Sequence, residues 1–290
     1  MRIAVTGASG QFGASVLAEL IRRVGTDDVV ALSRTPKDLP GLETRRADFD
    51  DPQTLGPAFA GADRLLIVST DRIGHRRTQH RNAIAAAVRA GVGHVFYTSA
   101  TAVDAPGNPS PVMPDHAVTE AALAASGLPY TALRNGVYTE TLLLAARPAV
   151  AAGVYATNAG QGATSYVTRG DLAAATAAIL ADPADPGTAI ELTGAEAVTG
   201  ADVAAILSAL TDREVRYQPL TDEVIEAGMV RAGLPPEAVA MAVGFGRAAR
   251  EGYLGRVSDA VGRYLGRRPV STAEFLAAHR SALVPMPPSV

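Results

Sequence analysis

The chain of 290 residues contains no cysteine. That excludes a disulfide framework, a thiolate nucleophile and a metal held by sulfur. No charge of one sign dominates: a formal net charge of −3 gives no electrostatic footing for nucleic acid or an anionic membrane. The start shows no basic segment followed by an apolar one, so no secretory leader is legible and a cytoplasmic protein is expected. The longest apolar run, Thr141 to Ala156, is interrupted by Arg147 and Pro148 and is too short for a bilayer, so no membrane span is expected. No internal repeat is visible. His75 and His80 are spaced i, i+5, which does not bring both to one helix face, so no metal site is expected.

What is present is a hydrophobic fraction of 48%, enough for one large α/β domain or a domain with a cap. The chain is organised around IAVTGASGQFG at 3–13. An apolar run, Ile3-Ala4-Val5, meets Thr6-Gly7, and glycines recur at Gly7, Gly10 and Gly13. Phe12, Val16, Leu17, Leu20 and Ile21 then follow at helical spacing. This is strand, tight turn, helix. Gly7 permits backbone angles that a Cβ would forbid. Gly10 leaves room for a diphosphate beside the backbone, and Gly13 lets helix and strand pack closely. The free N–H groups at the helix start suit an anion. The spacing is G-x-x-G-x-x-G rather than the commoner G-x-G-x-x-G, so the strand–turn–helix context carries the nucleotide reading over a merely structural turn.

Strands are expected at 2–6, 29–33, 44–47, 64–68, 94–98 and 130–133, alternating with helices at 10–24, 52–60, 74–90 and 117–125. The alternation predicts an α/β fold, a Rossmann doubly wound parallel sheet. The alanine-rich segments 83–90 and 172–180 suit close helix-on-sheet packing. Beyond Asn135 the rhythm loosens: helix 139–146, strands 154–156 and 164–167, helix 171–180 and strand 189–192. A mostly helical remainder follows (200–210, 222–232, 236–249, 258–264 and 272–282), interrupted by a strand at 214–218. The expected organisation is a Rossmann core over 1–135, with 164–192 returning to it. A smaller, mostly helical C-terminal substrate cap comprises 136–163 and 193–290. The tail 284–290 is expected to be poorly ordered.

One further absence selects the cofactor. An NAD site carries an acid at the end of the second strand, roughly 20 residues past the glycines, to hold the ribose 2′-hydroxyl. Here that end reads Ala31-Leu32-Ser33-Arg34, and Asp27 and Asp28 lie at the wrong end of the strand. The planar fork of Arg34 suits a 2′-phosphate, so NADP(H) is favoured over NAD(H); the alternative is that Arg34 is a solvated surface charge.

A set of stretches carries a resemblance: TGASGQFG (6–13), SRTP (33–36), ADFDDP (47–52), GHRRTQHRNAIAAAVRAGVGHVFYTSA (74–100), DHAVTEAALAASGLPYTALRNGVYTE (115–140) and YVTRGDLAAA (166–175). Together they resemble the NmrA-like group of atypical short-chain dehydrogenases, and within it the bacterial NADPH-dependent quinone oxidoreductase (type 2) branch. The resemblance implies roles. Gly7, Ser9, Gln11 and Phe12 line the pyrophosphate and nicotinamide side. Arg34 takes the 2′-phosphate, and Asp48 and Phe49 flank the adenine. Ser69 and Thr70 pass along the middle of the cofactor, and Thr98 and Ser99 close the fifth strand. Asn135, Gly136 and Tyr138 face nicotinamide and substrate.

Ordinary short-chain dehydrogenases use Tyr-x-x-x-Lys as proton donor and tuner. By alignment on Thr119-Glu120 those positions are Val112 and His116, so the tyrosine is missing. A ketone taking hydride becomes a strongly basic alkoxide that needs a positioned acid. A quinone becomes a stabilised phenolate, which does not. The reading is therefore an NADPH-dependent reductase of a quinone-like, electron-poor acceptor. Tyr138, Asn135 and His116 are its candidate polar partners for the developing oxyanion. The rival is a redox sensor that binds NADP(H) without turnover; a reductase of a bulky dye-like or imine acceptor is a third possibility. A homodimer is allowed but not required. His116 is equally readable as a surface residue at a helix start. Gln79 and His80 are structural or touch the cofactor side. Arg169 and Asp171 read as a helix-start ion pair. Tyr138 is read as a pocket residue over plain core, and Phe245 and Tyr253 as lid aromatics or core.

Overall fold

The computed structural model describes residues 1–37, 39–182 and 189–283. The proline-containing tail lies outside them. The chain alternates as expected: β1 (Ile3–Val5), α1 (Gln11–Val24), β2 (Val29–Ser33), β3 (Glu43–Arg46), α2 (Leu55–Phe59), β4 (Arg64–Ile67), α3 (Arg76–Ala90), β5 (His94–Ala100), α4 (Met113–Ala125) and β6 (Tyr130–Asn135). These six strands and β11 (Ala189–Leu192) form a seven-stranded sheet in the order β11-β6-β5-β4-β1-β2-β3, every pair parallel. The order reverses beside β1, because the chain runs outward to β3 and then returns to β4. Such a reversal opens a crevice at the carboxyl ends of the strands, where ligands bind in open α/β sheets.

Alternation within strands builds a core on each face. Ile3 and Val5 pack with Val16, Leu17 and Leu20 of α1 on one side. Ala4, Val30 and Leu65 pack with Phe59, Ile84 and Ala87 on the other.

The second half follows as β7 (Val137–Tyr138), α5 (Leu142–Ala152), β8 (Val154–Thr157), β9 (Ala163–Thr164), β10 (Tyr166–Val167), α6 (Arg169–Ala181), β11 (Ala189–Leu192) and β12 (Val198–Thr199). Then come α7 (Gly200–Thr211), β13 (Arg216–Pro219), α8 (Asp222–Arg231), α9 (Pro236–Arg250), α10 (Ala260–Leu265), α11 (Thr272–Ala278) and α12 (Arg280–Leu283). Helix α6 returns to the first core, where Leu172, Ala173, Ala177 and Leu180 are buried with α1 residues. Helices α5, α7 and α11 enclose a separate core around Val150, Leu207 and Leu276.

Several expectations change; among them, the single helix expected over 272–282 is divided into α11 and α12. The segment 164–167 is not one strand: β9 pairs antiparallel with β12, and β10 pairs parallel with β7. The helix expected at 117 begins at Met113, since Pro114 is tolerated in a first turn, where its missing N–H has no partner to lose. The expected helix over 139–146 is a 3₁₀ turn at Thr139–Thr141 followed by α5, which runs on to Ala152 with Pro148 inside it. The segment around α10, assigned by sequence to the cap, buries Ala260 and Val261 in the first core.

Candidate active site

The glycine turn has three jobs, divided by position. Gly7 has φ +65°, the left-handed region that a side chain disfavours. A Cβ on Gly13 would lie 2.3 Å from the Gly7 carbonyl oxygen, so this glycine is where helix meets turn. A Cβ on Gly10 would meet only that same oxygen, at 3.3 Å, and would otherwise project into open space. Gly10 is also the N-cap of α1, and it offers the first-turn N–H groups no side-chain oxygen. That leaves the helix start available to an anion, with no first-turn acid to repel it.

This turn forms one wall of a cavity of about 620 Å³ at the carboxyl ends of the strands. Every site residue read from the sequence lies on its wall: Gly7, Ser9, Gly10, Gln11, Phe12, Gly13, Arg34, Asp48, Phe49, Ser69, Thr70, Thr98, Ser99, His116, Asn135, Gly136 and Tyr138. Their side chains are employed in different ways.

At one end Arg34 is exposed and has no hydrogen bond or ion pair among the described residues, leaving its guanidinium available to a phosphate. The neighbouring Asp48 accepts from the Asp50 N–H at 3.0 Å, which shapes the turn beside it. Phe49 is anchored in the second core, and its carbonyl accepts from Asn82 Nδ2 at 2.9 Å. In the middle, three hydroxyls serve the protein first. Thr98 Oγ1 accepts from the Ser69 N–H at 2.7 Å, tying β5 to the end of β4. Thr70 Oγ1 donates to Gln79 Oε1 at 2.6 Å, and Gln79 Nε2 donates to Asp50 at 3.0 Å. Ser99 Oγ donates to Glu120 at 2.6 Å, and Glu120 is itself paired with Arg134 at 2.9 Å. Gln79 is thus a strut across the cleft floor.

At the far end Asn135 Oδ1 is buried on the cavity wall without a hydrogen-bond partner, an acceptor suited to a ligand's N–H or O–H. The Tyr138 ring lies 6.1 Å from Phe12 at an interplanar angle of 20°, with Arg169 Cζ 5.1 Å from its centroid. Burial pushes the Tyr138 hydroxyl above its ordinary pKa, against the lowering pull of Arg169 and of a hydrogen bond from the neighbouring Asn135 amide. Val112, Val137 and Phe245 complete an apolar recess there.

His116 is not a surface residue. It is buried in the first turn of α4, with Nδ1 2.7 Å from the Tyr97 hydroxyl. Burial first, then the Arg76 charge, lowers its pKa to about 3, so it is a neutral imidazole at physiological pH. His80, on α3, is also neutral, pushed down to about 4 mainly by burial. Its Nε2 accepts from the Thr70 N–H at 3.3 Å, which puts its proton on Nδ1, 2.9 Å from Thr119 Oγ1. Both histidines pack against Tyr97, a fully buried residue to which sequence reasoning assigned no role.

The Arg169–Asp171 ion pair does not form. Asp171, 2% exposed, accepts from Arg267 at 2.6 Å and from the Val270 N–H at 2.7 Å. The Arg169 side chain turns to Tyr138 instead, a placement that no local spacing signals. Phe245 reaches the cavity from α9, and Tyr253 donates to the Pro106 carbonyl at 2.9 Å, fastening the loop before α4. Among the described residues, no group of acidic or histidine side chains is arranged to hold a metal, and no helix is long and apolar enough to cross a membrane.

A family model described as NAD(P)H-binding matches residues 7–183. Quinone oxidoreductase 2 of Escherichia coli (strain K12) is 35% identical over 280 residues, covering 95% of this chain and 97% of that protein. The NAD(P)H azoreductase of Xenophilus azovorans is 32% identical over 243 residues, 83% of this chain and 84% of its own. Among solved structures, an NADPH-dependent quinone oxidoreductase from Escherichia coli complexed with NADPH superposes with a TM-score of 0.88 at 34% identity, covering 96% of this chain and 99% of that one.

Proposed function

The chain belongs to the NmrA-like, NAD(P)H-binding family, and from that premise we propose that it is an NADPH-dependent reductase delivering hydride to a quinone-like, electron-poor acceptor in the cytoplasm. The carrying observation is the shape and chemistry of one cleft. It runs from the glycine turn and Arg34 to an apolar recess walled by Val112, Val137, Tyr138 and Phe245. The division into a Rossmann core and a cap that supplies Phe245 belongs to the same reading.

The residues present fit the dinucleotide. The Gly10 cradle would be filled by a Cβ, and the α1 start is uncapped. Arg34 is a cation free of any carboxylate among the described residues. When bound, the reduced nicotinamide supplies the hydride. Gly7, Ser9, Gln11 and Phe12 would line the pyrophosphate and nicotinamide side, Arg34 the 2′-phosphate, and Asp48 and Phe49 the adenine. Ser69, Thr70, Thr98 and Ser99 would lie along the middle.

The chain's own contribution at the acceptor is orientation and a few neutral hydrogen-bonding groups. Asn135 Oδ1 offers an acceptor to whatever occupies the recess. Tyr138 keeps its proton, since burial raises its pKa. His116 is neutral with Nδ1 engaged by Tyr97, leaving Nε2 for a ligand. The position of the usual catalytic tyrosine is held by Val112, whose apolar side chain lines the recess. No strong acid stands ready to quench a basic alkoxide, whereas a hydroquinone anion, being weakly basic, needs none. The test is NADPH oxidation, followed at the nicotinamide absorbance, with a panel of benzoquinones and naphthoquinones. Tight NADPH binding with no oxidation by any member would reject the reductase in favour of a redox sensor.

A further inference from the structure

Arg169 opens α6, and its backbone N–H donates to both carboxylate oxygens of Glu140, at 2.9 and 3.1 Å. The side chain takes no part in this anchor. Among the described residues its guanidinium makes no hydrogen bond and no ion pair, and it stands on the cavity wall against the Tyr138 ring. A cation facing an aromatic ring is drawn to the ring's negative face, and its field favours negative charge nearby. Two other charged or titratable groups bear on Tyr138. Glu140 works against Arg169, though its carboxylate is occupied by the α6 start; His116 shares the cavity but is neutral.

We propose that Arg169 is a positioning residue for acceptor reduction, holding the Tyr138 ring against Phe12 and making its hydroxyl a better hydrogen-bond donor to the acceptor oxygen. The inference rests on the reading of the cleft as a reductase site. The balance is simple. The acceptor receives one hydrogen and two electrons as hydride; a new C–H or O–H bond forms, and negative charge collects on an oxygen. That oxygen then takes one proton from solvent. The Tyr138 O–H lends a hydrogen bond while the charge develops, and neither Tyr138 nor Arg169 is consumed. Burial makes this phenol a poorer acid than a free tyrosine, and the nearby cation counters part of that effect. Tyr138 and Arg169, from two segments far apart in sequence, thus supply a hydrogen bond to the developing charge without taking over the proton donation of the missing Tyr-x-x-x-Lys.

The experiment is a double-mutant cycle on the full chain, with NADPH and a 1,4-benzoquinone, over R169Q, Y138F and the double variant, with R169K beside them. R169Q is expected to lower kcat about tenfold, the size of a cation–ring interaction out of bulk water. Y138F is expected to lower it comparably, and the double variant by clearly less than the product of the two single losses, because the part of Arg169's effect that passes through the Tyr138 hydroxyl is already gone while its hold on the ring is not. R169K should recover part of the rate, and the NADPH Kd of R169Q should stay within about twofold of wild type, the spread of uncoupled sites. Losses that multiply in the double variant would overturn the inference while leaving the reductase intact. So would a loss in R169Q that appears wholly as weaker NADPH binding, which would make Arg169 a cofactor contact. Wild-type protein that binds NADPH but reduces no quinone would instead remove the reductase reading, and this inference with it.

Discussion

In the proposed placement of the cofactor Gly10 serves binding and Gly13 serves folding, and alanine at each distinguishes the two roles. At Gly13 the added Cβ would stand 2.3 Å from the Gly7 oxygen and 2.7 Å from its carbonyl carbon, with Thr6 O at 3.1 Å. All three are backbone atoms and cannot rotate aside, so α1 must retreat by the better part of an ångström. Overpacking of this kind costs about 1–3 kcal/mol, here toward the upper end. Replacing a helical glycine returns up to about 1 kcal/mol. The expected net destabilisation is about 1–2 kcal/mol, a fall in Tm of roughly 2–3 °C for a chain this long. At Gly10 the backbone is extended, with φ −84° and ψ 162°, which alanine adopts freely, and the new methyl meets only the Gly7 oxygen at 3.3 Å. Stability should stay within about 0.5 kcal/mol of wild type. Affinity for NADPH should fall roughly ten- to hundredfold, because the methyl occupies space beside the helix start that the diphosphate needs. Valine there should abolish binding. Thermal melts without cofactor and calorimetric titration with NADPH measure both. A Gly13→Ala protein that melts no lower than wild type, or a Gly10→Ala protein that binds NADPH unchanged, would refute the assignment.

Arg34→Ala should weaken NADPH roughly ten- to hundredfold and barely alter NADH, since a hydrogen bond to a charged group is worth about 1.5–3 kcal/mol; equal loss for both cofactors in paired titrations would make Arg34 a surface charge. His80 and His116 have folded pKa values of about 4 and about 3, below the ordinary 6.5. The unfolded chain therefore binds more protons, so their contribution is complete above pH 6.5 and is lost as pH falls toward 3, on the order of a few kcal/mol in total. Urea midpoints between pH 7 and 4 should drop steeply for wild type and less steeply for a His80→Gln/His116→Gln variant, and parallel curves would count against the buried neutral pair. Asp222 at the start of α8 accepts from Arg247 and Arg250 of α9, at 2.7 and 2.9 Å, and from Asn158 at 2.7 Å. Asp222→Ala should cost about 1–2 kcal/mol, discounted because both arginine side chains are more than a third exposed. Because α9 carries Phe245, the same change should raise KM for the acceptor while leaving the NADPH Kd unchanged; steady-state kinetics showing no change in KM would detach α9 from acceptor binding.

The sequence by itself determined the doubly wound sheet and the wall of the cleft that the strand ends build. Both follow from local rules. Alternating apolar strands and amphipathic helices permit few topologies, and Gly7, Gly10 and Gly13 work through backbone geometry within seven residues. Strand-end residues such as Arg34, Ser69, Thr98 and Asn135 are placed at one edge by parallel register alone. What tertiary structure decided is how their side chains are employed. Thr98 and Ser99 are turned to the Ser69 N–H and to Glu120. His116 lost its charge because α4 begins four residues earlier than the pattern suggests and buries it beside Tyr97. Arg169 left its sequence neighbour Asp171 because Arg267, 96 residues further on, arrives to pair with that carboxylate. Protonation state and pairing depend on which groups meet through space and how much water they lose, and neither is written in the spacing of residues along the chain.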